Sequence, residues 1–293
     1  MRLRFFVTLT AGAGLGWAGP AAAQIAVTGT TVYTQTFDTL PSSGSATFSQ
    51  FDSGTPTLPG VFAVRSGNGT TIVAGDGSSN AGNLYSFGTG TGTDRALGTI
   101  GSGNAAAGRF GYGLVFQNTD TQVLNINVQY AGEQWRNSAA AAQTVSFSYT
   151  TQSAAPTAAT LAALIPSTNN TDPTGYTAVD ALDFISPITG GTAGALDGNA
   201  AANRATFNVN VAVNLASNDY LILYWVDPDH TGNDHGLGID DLRVAFTPVP
   251  EPATVLGIAA AGLGAVRLAR RRLRGRGVTA AADTAEPIGA EIA

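Results

Sequence analysis

The sequence predicts an all-β protein, an antiparallel β-sandwich of jelly-roll type. Three observations predict it. Residues 24–247 consist of short runs that alternate polar and apolar side chains, each closed by Gly, Asn, Asp or Pro. Before residue 250 only residues 158–165 have the look of a helical turn, as a loop element between strands. The body shows no internal repeat or linker, and its length suits one all-β domain, which often reaches about 200–250 residues.

Thr31-Val32-Tyr33-Thr34-Gln35-Thr36-Phe37 opens the series. Residues 111–117 and 123–130 follow, and the turn-forming Asn118-Thr119-Asp120-Thr121 between them predicts a hairpin. Residues 144–150 alternate strictly, which sets Val145, Phe147 and Tyr149 on one face. Residues 206–213 repeat the pattern, and residues 220–226 form a continuous apolar run suited to a strand buried on both faces. Leu237-Gly238-Ile239 and Leu242-Arg243-Val244-Ala245-Phe246 close the domain, for about a dozen strands in all. The Gly-rich stretches 88–93 and 101–108 are loops; with no lysine in the chain, neither can be a phosphate-binding Gly-Lys-Ser/Thr loop.

Composition narrows the function. Residues 24–247 carry fifteen Asp and Glu133 against six Arg, because eight of the fourteen arginines sit near the two ends. Such an acidic body repels phosphate, so nucleic acid is not a partner. No cysteine is present, so stability must come from a packed core without disulfides.

The residues with chemistry to offer are few. His230 and His235 are the only histidines, both in the segment Asp227-Pro228-Asp229-His230-Thr231-Gly232-Asn233-Asp234-His235. A hydrolase would use them with neighbouring carboxylates. A zinc site needs three or four His, Cys or carboxylate ligands, and the two His with Asp234 could be drawn as three of them. Asp227, Asp229 and Asp234, with Asp240 beyond, supply hard oxygen ligands of the kind calcium takes, and Gly232 permits a bend. The terminal Glu of an EF-hand loop is missing, and Asx-turn capping is the commoner use of such a run. No other cofactor is implied. Trp225 lies in the apolar run and is expected in the core. Trp135, beside Glu133, Gln134 and Arg136, is the one aromatic candidate for stacking on a sugar ring, with core packing the commoner fate. Glu133 and Arg136 suggest a salt bridge at a strand edge.

The two ends specify destination. Arg2 and Arg4, an apolar stretch 5–15 and Ala21-Ala22-Ala23 before Gln24 predict a secretory signal peptide over residues 1–23. At the other end Val249-Pro250-Glu251-Pro252 precedes the uncharged residues 253–266, and a basic cluster containing Arg270, Arg271 and Arg272 follows. Fourteen helical residues rise about 21 Å, a short span that snorkelling arginines can complete, with the basic end in the cytoplasm.

This order resembles the PEP-CTERM sorting signal of Gram-negative surface proteins, over residues 248–276. The resemblance implies processing by signal peptidase and an exosortase-type membrane protease, with transient anchoring in the inner membrane. Such tails usually stop after the basic cluster; here residues 277–293 add an Ala-rich tail, expected to be disordered. Segments of the body, among them Phe37-Asp38-Thr39-Leu40-Pro41, residues 111–118, residues 130–136, residues 196–204 and residues 234–241, resemble a jelly-roll-like module that recurs in bacterial exported proteins, alone or beside catalytic domains. Together these readings predict a non-enzymatic ectodomain over residues 24–247. Its expected role is structural or adhesive at the cell surface or in the extracellular matrix, with exopolysaccharide or biofilm as its setting. A lectin-like glycan-binding module, with or without calcium, is the first alternative and a hydrolase using His230 and His235 the second.

Overall fold

The computed structural model describes residues 24–48, 58, 60–90, 92–166 and 173–250. The described residues up to Pro248 form one compact unit. Ala21 and Ala23 of the expected signal peptide lie outside the described residues, as do Glu251, Pro252, Arg270, Arg271, Arg272 and residues 253–266. Among the described residues no helix is long and apolar enough to cross a membrane.

Sixteen strands are described. They are β1 (Ile25–Val27), β2 (Val32–Gln35), β3 (Ser45–Thr47), β4 (Val61–Arg65), β5 (Thr71–Gly75), β6 (Asn83–Phe87), β7 (Ala96–Ile100), β8 (Phe110–Asn118), β9 (Leu124–Asn137), β10 (Thr144–Gln152), β11 (Thr177–Ala178), β12 (Phe184–Ile185), β13 (Gly194–Ala195), β14 (Arg204–Leu215), β15 (Tyr220–Asp227) and β16 (Gly236–Pro248). One helical turn, α1 (Ala158–Ala162), lies where the sequence suggested one, closed by a capping box between Thr157 and Thr160.

The strands form two sheets. One runs β1-β8-β15-β10-β11, with β4 also on β8 and β12 on β10. The other runs β13-β9-β16-β7-β6-β5-β3, with β14 on β9 and β2 on β16. Two pairings depart from the antiparallel expectation: β1 runs parallel to β8, and β5 parallel to β6. The expected hairpin across residues 118–121 is also corrected, because β8 belongs to one sheet and β9 to the other. Those residues build a corner instead. The buried Asn118 amide donates to the carbonyls of Gln122 at 2.9 Å, Leu215 at 3.1 Å and Ala216 at 3.1 Å, tying three segments together where the chain changes sheets. The last two sequence runs are one strand, β16, interrupted by a bulge at Asp240-Asp241, where Asp241 has φ 52°.

The inward faces of both sheets share one apolar core. Trp225 sits within it, stacked on Tyr112 with ring centroids 6.3 Å apart and edge-on to Phe147 and Tyr130 at 4.8 and 5.8 Å. Phe116 of the first sheet meets Phe246 of the second at 5.2 Å. β15 is covered on its other face as well, where Ile222, Tyr224 and Val226 pack with Phe62, Val64, Val115 and Leu161 of α1. Its uninterrupted apolar run is thereby explained.

Replacing Trp225 by Ala should lower unfolding free energy by about 3–5 kcal/mol, the usual cost of deleting a buried Trp. Urea denaturation of the two proteins checks this, and a loss below about 1 kcal/mol would show that the seam is not the dominant contact.

Candidate functional site

β15 ends in one sheet and β16 begins in the other, so residues 228–235 between them cross from sheet to sheet. There they wall a polar cleft of about 210 Å³ with Ile100 and Ser102 after β7, and Arg136 and Ser138 at the end of β9. Asp229 and Asp234 line it.

Asp227 ends β15 and is 2 % exposed, with its carboxylate accepting the Thr99 hydroxyl. Burial pushes its carboxyl up to about 8, against the hydrogen bond from Thr99 and aided by the nearby Asp229 charge. Asp234 is likewise pushed up to about 8, first by burial and then by the charges of Asp227 and Asp229. Its Oδ1 accepts the His230 backbone N–H and the Gln143 amide, each at 3.1 Å. Its Oδ2 receives no hydrogen bond.

The two histidines are held as neutral structural groups. Burial lowers the pKa of both. His235 Nδ1 accepts the Ser138 N–H at 2.9 Å, which puts the proton on Nε2, 3.2 Å from the Ala141 carbonyl. Ser138 Oγ is 3.1 Å from the same Nδ1 and 2.9 Å from the Asn233 carbonyl, to which it donates. A nucleophile–base pair would need a free Nδ1 and a carboxylate on the far nitrogen; here a carbonyl stands there. His230 Nε2 faces the Thr144 N–H at 3.4 Å. Among the described residues, no three His, Asp or Glu side chains converge as a metal cage.

Asp240 does not join the other three aspartates. Strand alternation in β16 turns it towards Glu133 on β9, beside Asp241 and Asp94. Glu133 does not pair with Arg136: its Oε1 lies 3.6 Å from Arg204 Nη2, and Arg136 donates to the carbonyls of Gly77 and Ser78. Trp135 is no exposed platform. It is 1 % exposed, donates its Nε1–H to Glu133 Oε2 at 3.0 Å and stacks on Phe87 with centroids 6.0 Å apart. Its ring lies so close over Gly198 that a Cβ there would come within 2.4 Å of it. Gln24, Val249 and Pro250 are described, outside every strand.

A second surface was not anticipated. Four adjacent strands, β2, β16, β9 and β14, turn one row of Thr34, Arg243, Gln129 and Asn208 outward, and next to it a row of Val32, Ala245, Asn127 and Asn210. Asn127 Nδ2 donates to Asn208 Oδ1 and Asn210 Oδ1, both at 2.9 Å, and Gln129 donates to Asn127 Oδ1 at 2.6 Å. The opposite faces of these strands are in the core, with Val128 and Val244 fully buried. Four strands span about 14 Å, and no carboxylate lies in either row. The signal was available in the alternation Asn125-Ile126-Asn127-Val128-Gln129 against Asn208-Val209-Asn210, but the pairing that joins them was not.

Burial pushes Glu133 up to about 7 and Asp240 up to about 8. Arg204 and the Trp135 N–H oppose the rise at Glu133, the Asp241 N–H opposes it at Asp240, and Asp94 and Asp241 reinforce both rises. The folded protein therefore binds more protons than the unfolded chain between about pH 4 and pH 8, so stability is full at the acid end and falls as pH rises. In chelator-treated protein, Tm should decline from pH 5.5 to 8.5. Glu133→Gln and Asp240→Asn should each flatten the slope by up to about 1.4 kcal/mol per pH unit, one proton's worth. A Tm that climbs over this range would contradict the burial of these acids.

No family model matches the chain, and neither does any curated protein. Among solved structures, the CBM22-1 xylan-binding domain of Paenibacillus barcinonensis Xyn10C aligns over 78% of this chain and 100% of that one, with 10% identity and a TM-score of 0.30. The tandem CBM22-1–CBM22-2 domain of the same protein aligns over 80% of this chain, which spans about half (48%) of that one, with 9% identity and a TM-score of 0.32. TmCBM61, solved with beta-1,4-galactotriose, aligns over 71% of this chain and 92% of that one, with 14% identity and a TM-score of 0.26.

Proposed function

We propose that this chain is an exported, non-enzymatic β-sandwich of jelly-roll type that makes structural or adhesive contact with exopolysaccharide at the surface or in the extracellular matrix of a Gram-negative bacterium. The observation that carries the adhesive reading is the amide ladder of Gln129, Asn127, Asn208 and Asn210. Each amide both donates and accepts, as sugar hydroxyls do. The ladder is backed by a rigid core, and its two rows hold one arginine and no carboxylate, so it favours neutral glycans over acidic ones. With both body tryptophans buried, contact comes from hydrogen bonds of modest individual strength, and an extended polymer gains over a short oligosaccharide by multiplying them.

The destination rests on the two ends of the chain. Signal peptidase cuts after Ala23, and an exosortase-type protease acts at Val249-Pro250-Glu251-Pro252 while residues 253–266 sit transiently in the inner membrane, with Arg270, Arg271 and Arg272 on the cytoplasmic side. Mass spectrometry of the native protein from the surface and medium fractions should find termini near Gln24 and Val249–Pro252. Intact chain ending at Ala293, confined to the inner membrane, would defeat the sorting reading.

Affinity electrophoresis through gels containing neutral polysaccharide should retard the exported protein with little dependence on salt. The double substitution Asn127→Asp with Asn210→Asp should weaken that retardation about tenfold or more, the order expected when more than one hydrogen bond is lost, at a cost in stability of about 1 kcal/mol from the two carboxylates facing each other across the strands. Undiminished retardation of a folded double variant would place the contact elsewhere.

A further inference from the structure

The cleft beside residues 228–235 holds a carboxylate oxygen that nothing in the protein satisfies. The Asp234 side chain is 2 % exposed, and its Oδ1 is engaged by the His230 N–H and the Gln143 amide. Oδ2 has no donor, and the polar group facing it is the Asp229 side chain, another carboxyl. A buried carboxylate oxygen opposed by a carboxylate requires a positive species between them.

The surroundings do not supply one. Arg136, on the same cleft, gives its guanidinium to the carbonyls of Gly77 and Ser78, and among the described residues no arginine forms an ion pair with Asp229 or Asp234. His230 is 3.7 Å from Asp234 Oδ1, but its burial favours the neutral form. Asp227 adds a third acid within electrostatic reach. Oxygen ligands do converge here. Asp234 Oδ2 and the Pro228 carbonyl oxygen each lie 2.5 Å from the position a Cβ on Gly101 would take, and the Asp229 carboxylate reaches to 3.6 Å from the corresponding point on Gly103. Only glycine at 101 lets the backbone pass this close to the two oxygens, since a Cβ there would force them aside.

We propose that Asp234 Oδ2, Asp229 and the Pro228 carbonyl form a site for a hard divalent cation, calcium, which cross-braces residues 228–235. The donor set is all oxygen and half-open to water, as calcium accepts, and too poor in nitrogen or sulfur for zinc. The fourth aspartate suggested by the sequence, Asp240, is not a ligand, and Asp227 acts only through its charge, since its oxygen is taken by Thr99. A proton on Asp234 is the competing occupant. The site stands apart from the amide ladder, so it can fail or hold independently of glycan binding.

Thermal melts of the exported protein at pH 7.5, stripped with chelator and then titrated with calcium chloride, decide between them. The expected result is a saturable rise in Tm with a midpoint in the 10⁻⁴–10⁻³ M range typical of extracellular modules, and a much smaller rise with magnesium. Asp234→Asn and Asp229→Asn should each abolish the calcium response while melting in chelator no lower than wild type, because the repulsion is gone. Glu133→Gln, in the separate acid cluster, should keep it. Equal calcium responses in all variants overturn the proposal, and so does an absent response in wild type with Asp234→Asn more stable, which assigns the position to a proton. Should Asp234→Asn fail to fold, the half-exposed-loop variant Asp229→Asn and calorimetric titration of wild type still decide, because the absence of one saturable calcium equivalent rejects the site.

Discussion

The burial of β15 on both faces is the constraint on which the rest of the molecule depends. Without cysteine, the sandwich has no covalent cross-link, and its cohesion lies in apolar contact. Leu221, Leu223 and Trp225 point into the core between the sheets, while Ile222, Tyr224 and Val226 point into the cluster under α1. β4 divides in the same way, with Val61 and Ala63 in the first cluster and Phe62 and Val64 in the second. A consequence follows at the end of β15: the strand delivers Asp227 into low dielectric, and the loop that leaves it begins already partly buried. The acidic cleft is therefore a product of packing, and its raised carboxyl pKa values trace to the same desolvation that makes the strand stable.

Much of this was legible in the chain itself. The alternation in β10, the matching alternation in β14 and the unbroken run of β15 each follow from side-chain period against burial, which local sequence records. What escaped is long-range. Asn118-Thr119-Asp120-Thr121 has the residues of a tight turn whether the flanking strands pair with each other or part into different sheets, because turn chemistry reports only a change of direction. The two-residue strands β11, β12 and β13 are too short to show any period. The bulge at Asp240-Asp241 looked like a gap between strands, since two consecutive aspartates are ordinary loop residues.

The candidate residues divide along the same line. The aspartates of residues 227–234 stay together because they share one loop, so proximity in sequence was a sound guide. Asp240 was drawn in by spacing alone, yet six residues along a strand carried it to a different neighbourhood, opposite Glu133. Glu133 itself found Arg204 rather than the adjacent Arg136, since neighbours two or three apart on a strand are not automatically partners; pairing across strands decides. The amide ladder shows the same principle in reverse, with its two halves unremarkable apart and distinctive only once β9 and β14 lie side by side.

How the body disposes of its few cations explains why its acids remain needy. Arg65 donates to the Asn83 side chain and the Thr71 carbonyl, and lies over the ring of Phe110. Arg95 serves the hydroxyl and carbonyl of Ser86, Arg109 the carbonyl of Pro166, and Arg136 the carbonyls of Gly77 and Ser78. Among the described residues Arg204 is the one arginine that forms ion pairs, with Glu133 and Asp241. The guanidinium groups thus act mainly as multi-toothed donors that tie loops to strands, a job their planar fork suits. With no lysine to add charge, Asp227, Asp229 and Asp234 have no cationic side chain to pair with beyond a histidine held neutral. Their charge must be met by protons or by ions from solvent, while the two rows of the amide ladder carry no carboxylate at all.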